Sequence, residues 1–85
     1  MAENKKTEEF ALLSWTRLKY QLSTCKKGKR NIEDDIKKLE EYLFSLDIKD
    51  IEIIYKSPDY YTLRYLKNQQ TRIKQFLTED IEKQI

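Results

Sequence analysis

Between Thr7 and Cys25 the apolar positions Ala11, Trp15, Leu18, Leu22 and Cys25 recur at steps of four, three, four and three. At about 100° per residue this spacing gathers them into one stripe and predicts an amphipathic helix over residues 7–25, with residues 1–6 frayed ahead of it. The same spacing returns in Ile32, Ile36, Leu39, Leu43 and Leu46, predicting a second helix over 31–46. Asn31 is placed to cap it, and Glu33 and Asp34 sit in its first turn, where carboxylates suit the helix dipole. Between the two lies Lys26-Lys27-Gly28-Lys29-Arg30, which holds the only glycine of the chain. A left-handed glycine there would end the first helix and turn the chain back. The stripes then face each other in antiparallel order, Cys25 with Ile32, Leu22 with Ile36, Leu18 with Leu39, Trp15 with Leu43 and Ala11 with Leu46.

Residues 47–56 are ambiguous in period. Four isoleucines weaken helix propensity, and Ile51, Ile53 and Tyr55 alternate as in a strand, so an irregular or short extended connector is expected. Ser57-Pro58-Asp59 then reads as a helix start, with serine as cap, proline in the first turn and aspartate at the positive end of the dipole. A long third helix over 58–83 follows, with the stripe Leu63, Leu66, Gln70, Ile73, Leu77 and Ile81. The fold class expected is therefore all-α: one small helical domain over residues 1–85, with coiled-coil-like seams. The competing pattern is α+β, in which Ile51–Lys56 and Tyr60–Leu66 form a β-hairpin turning at Ser57-Pro58-Asp59.

Composition narrows the function classes. With 38% charged and 39% apolar residues the chain is too apolar for a disordered segment and has no run of about 20 apolar residues to cross a bilayer. No signal-peptide pattern opens it, and one cysteine excludes an internal disulfide, so an intracellular protein without membrane insertion is expected. The absence of histidine removes the commonest general base and a leading metal ligand. A single glycine cannot build a phosphate-cradling loop. No enzyme, metal or cofactor is expected, and carboxylate pairs such as Glu40–Glu41 and Glu79–Asp80 read as solvated helix surface. Cys25, at the end of its stripe, is expected to lie buried beneath the hairpin turn.

The net charge of +2 is unevenly spread. Residues 1–30 sum to +5, residues 31–60 to −5 and residues 61–85 to +2, which would steer the molecule toward a charged partner. Phe10, Leu13 and Tyr20 lie on the side of the first helix opposite its stripe, and Gln70 interrupts the third stripe. These four are the expected partner-binding residues. They favour a non-enzymatic helical protein-protein interaction module, either a homo-oligomer or a small subunit or adaptor of a larger assembly. The alternative is a small nucleic-acid-binding or regulatory protein, with Lys26, Lys27, Lys29 and Arg30 of the basic turn and Arg64 and Lys67 farther on meeting phosphate. A true strand pair at 51–66 would favour that alternative.

Overall fold

The computed structural model describes residues 2–25 and 27–82, with side chains from Thr7 onward. Its fold is α+β and corrects the all-α expectation: two helices are followed by three antiparallel strands and a short closing helix. Helix α1 spans Ala2–Thr24 and α2 spans Lys29–Ser45. Strands β1 (Ile48–Lys56), β2 (Tyr60–Lys67) and β3 (Gln70–Leu77) form a meander in the order β1-β2-β3. Helix α3, Thr78–Glu82, ends the described chain.

The helical hairpin forms as the two stripes require. Ala11, Trp15, Ile36 and Leu43 are buried in the core, and Leu18, Leu22, Ile32, Leu39 and Leu46 pack against it half-buried. The Trp15 indole donates a 2.9 Å hydrogen bond to Glu40, within a helical turn of the expected register. Two details differ. Gly28 is left-handed, at φ 76°, but it serves as the cap of α2, so Asn31 falls inside the helix and is exposed. Cys25 is only half-buried, its thiol donating to the Lys27 carbonyl and not entering the core.

Among the described residues there is no long third helix and no coiled coil. The competing pattern is the true one, extended at both ends and joined by a third strand. Ser57 does what a capping serine does, since its hydroxyl accepts from the backbone N–H groups of Asp59 (3.2 Å) and Tyr60 (3.0 Å). The same local chemistry closes a turn, however, because Ser57 N–H donates to the Tyr60 carbonyl at 2.9 Å and the chain reverses into β2. Asn68 and Gln69, at φ 52° and 66°, join β2 to β3 in the two-residue left-handed turn that suits the twist of a hairpin. Alternation then replaces the helical stripe. Tyr61, Leu63 and Tyr65 face the helices and are buried, whereas Tyr60, Arg64 and Leu66 lie on the opposite face.

Strand β1 is the irregular edge. Its register against β2 shifts between Lys49 and Glu52 and again between Ile53 and Tyr55, and Asp50 sits at φ 52° in the first irregularity. Across the sheet, α1 is tied to β2 and β3 by ion pairs from Lys67 to Glu8 and from Lys74 to Glu9, the latter at 3.1 Å. At the far end, Arg17 donates to the Asp80 carbonyl at 2.8 Å, and Thr78 N–H donates to the Asp59 carbonyl at 2.9 Å. One face of the sheet is thus covered by helices, and the other carries no layer of the described residues.

Candidate functional site

The residues expected to bind a partner do not share a surface. Leu13 and Tyr20 pack against the core, Gln70 opens β3 and accepts from Arg72, and only Phe10, 65% exposed, stands free of the core on α1. With no long third helix there is no seam for Gln70 to interrupt. The expected phosphate-binding residues are divided as well. Arg64 lies on the outer sheet face, held by Glu52 at 2.7 Å, whereas Lys67 points inward to Glu8. Lys26 lies outside the described residues, while Lys27, Lys29 and Arg30 are exposed around the hairpin turn.

A different constellation forms ahead of that turn, where α1 faces the end of β1. The C-terminal half of α1 and the last residues of β1 enclose an open groove of about 370 Å³, lined by Lys19, Tyr20, Ser23, Ile53, Ile54, Tyr55, Lys56 and Tyr61. Among the described residues no carboxylate is part of its lining. Lys56 pairs with Tyr61 across the β1–β2 ladder, and its ammonium lies over that ring, 5.6 Å from the centroid. Lys19 sits in the same way over Trp15, at 5.4 Å. Rings beneath the two ammonium groups hold them by cation–π attraction without neutralising their charge. Tyr55, 62% exposed, stands at the lip.

The groove has a set floor. Tyr61 is buried and donates from its hydroxyl to Glu82 of α3 at 2.7 Å. Burial, reinforced by that carboxylate, pushes the Tyr61 hydroxyl far above the usual tyrosine range. It therefore stays protonated and serves as structure. Tyr65 is also pushed up by burial, with the Glu8 carboxylate adding to the shift.

Two other clefts have the opposite character. The larger, about 610 Å³, is lined by Asp50, Ile51, Glu52, Arg64, Tyr65, Leu66 and Thr71. Its one cation is already paired with Glu52, so Asp50 leaves it anionic. The smaller, about 240 Å³, contains Glu40 and Asp50 against Lys49. No group of three or more potential metal ligands comes together among the described residues. No helix among them is long and apolar enough to cross a membrane.

Sequence reasoning did not find Lys19, Tyr55 or Lys56 as site residues. The basic turn four to seven residues beyond Ser23 marked the right end of the molecule. The juxtaposition of Lys19 with Lys56 needs β1 to lie beside α1, and no local spacing encodes that. Compared with known proteins, the chain matches no family model, no curated protein and no solved structure.

Proposed function

We propose that this is a small non-enzymatic nucleic-acid-binding protein whose contact surface is the groove between α1 and β1, continued by the basic hairpin turn. The observation that carries this reading is a concave site lined by two lysines and three tyrosines, with no carboxylate among the described residues of its lining, in a chain whose net charge is only +2. Phosphate is drawn to ammonium groups that form no salt bridge among the described residues, and the exposed Tyr55 ring at the lip offers its face to sugar and base. Lys27, Lys29 and Arg30, exposed just beyond Ser23, extend the cationic track.

Fluorescence anisotropy with labelled oligonucleotides across a salt series tests the proposal. Binding should weaken linearly on a log–log scale, and Lys19→Gln with Lys56→Gln should flatten the slope by about 1.4 for an unpaired strand, about 0.7 for each phosphate no longer neutralised. No binding at about 50 mM salt, or an unchanged slope in the double variant, overturns it. A second reading has its own observation: Ile73 and Leu77, 55% and 49% exposed, lie on the open sheet face and would suit a protein partner or a second copy. Sedimentation mass separates the two, since Ile73→Glu dissociates a face-to-face assembly and leaves a groove complex intact.

A further inference from the structure

Resting on the groove reading, we infer that the site selects unpaired strands, because Tyr55 and Tyr60 form a two-ring stacking platform on the outer face of the sheet beside the lysine groove. Tyr55 faces Thr62 across the ladder, and Tyr60 lies two positions before Thr62 on the same face. The rings therefore occupy a diagonal pair of sites on adjacent strands, about 7–8 Å apart at the backbone. Between them Thr62 is small, buried and engaged with Gln75 at 3.3 Å, so it does not rise between the rings. Tyr55 is 62% exposed and Tyr60 45%.

The strand separates the two chemistries. Lys56 follows Tyr55 directly and projects to the opposite side, over Tyr61. Cation and ring thus stand on the two sides of one sheet edge. A nucleic-acid strand crossing that edge places its phosphates at Lys19 and Lys56 and turns its bases onto Tyr55 and Tyr60. A duplex cannot do so, since its bases are stacked and paired inside and it presents only backbone and groove edges. The edge is suited to this use because the register shift at Ile53 and Tyr55 breaks the regular ladder that an added protein strand would need. Farther along the same face the Glu52–Arg64 pair is neutral, which confines the platform to the basic end.

The test uses the full chain with labelled oligo(dT) and oligo(U) of about 12 nucleotides, a length within the range that small stacking domains cover, and a duplex of matching length. Both single strands should bind at least tenfold more tightly than the duplex. Tyr55→Leu and Tyr60→Leu should each cost about 5- to 150-fold on single strands, the range for losing one base stack. Both should leave the salt slope unchanged, Tyr60→Leu, which lies outside the groove, should also leave the duplex affinity unchanged, and Tyr55→Trp should restore the single-strand binding lost in Tyr55→Leu. Circular dichroism checks that the variants stay folded, which is expected because both rings are substantially exposed. Equal affinity for duplex and single strand, or Leu variants without effect, overturns the platform and leaves the groove reading standing. Failure to bind any of the three probes overturns both.

Discussion

Gln69 is a residue whose backbone contradicts its chemistry. It holds φ at 66° beside Asn68 at 52°, a region that costs a residue with a Cβ about 1–2 kcal/mol and glycine almost nothing. Gln69→Gly should therefore stabilise the protein by about 1 kcal/mol in urea unfolding, whereas in the interior of a helix the same change costs about that much. The sign alone decides between turn and helix. Tyr61 makes a second residue-scale prediction. Its hydroxyl titrates higher when folded than the unfolded value of about 10. Above that unfolded value the unfolded chain releases a proton that the folded one retains, so stability is complete below about pH 10 and falls as pH rises further. Denaturation midpoints measured from pH 8 to 11 should fall at the alkaline end, and Tyr61→Phe should reduce that fall.

At the scale of elements, the decisive contrast lies within β2. Leu63 and Leu66 belong to one stripe if residues 58–83 are helical, but in the strand Leu63 is fully buried beneath the helices and Leu66 is half-exposed on the other face. Leu63→Ala should cost about 2–5 kcal/mol, in the range for emptying a buried leucine site, and Leu66→Ala distinctly less. Ile73→Ser, at another position of the same supposed stripe, should cost no more than about 1 kcal/mol because Ile73 is already 55% exposed. Equal losses at Leu63 and Leu66 would contradict the strand. Elsewhere the elements are held by long-range polar ties. Thr78 donates its hydroxyl to the Ser57 carbonyl at 2.7 Å, so the start of α3 latches the first hairpin turn.

For the whole molecule, the uneven charge of the sequence becomes a spatial arrangement. The groove lysines and the hairpin turn gather at one end, while Asp50, Glu52 and Glu40 border the other clefts. Glu33, Asp34 and Asp35 follow the basic turn directly on the exposed surface of α2, where they oppose an approaching anion. Neutralising these three to Gln, Asn and Asn should raise oligonucleotide affinity at low salt, mainly through the association rate. The gain should fade once the screening length drops to about 3 Å near 1 M salt. Stopped-flow binding at two ionic strengths checks this.

The helical hairpin was legible in the chain because both of its helices are half-buried cylinders, and burial on one side writes itself as a 3.6-residue period. Ala11, Trp15, Leu18 and Leu22 carry that period with no competing one, as do Ile32, Ile36, Leu39 and Leu43. The second half of the chain carries two periods at once. Leu63, Leu66, Ile73 and Leu77 fit a helical stripe, and Tyr61, Leu63 and Tyr65 fit an alternating strand. Ser57 offers its hydroxyl to the same backbone donors in a helix cap as in a turn, so it could not choose between them. The choice fell to tertiary structure. As a strand, β2 places Tyr61, Leu63 and Tyr65 together under the core of α1 and α2, which a two-helix hairpin would otherwise leave open to water. The same packing decided the candidate site. Lys19 and Lys56 are 37 positions apart in sequence, and only the docking of β1 beside α1 brings them to one groove.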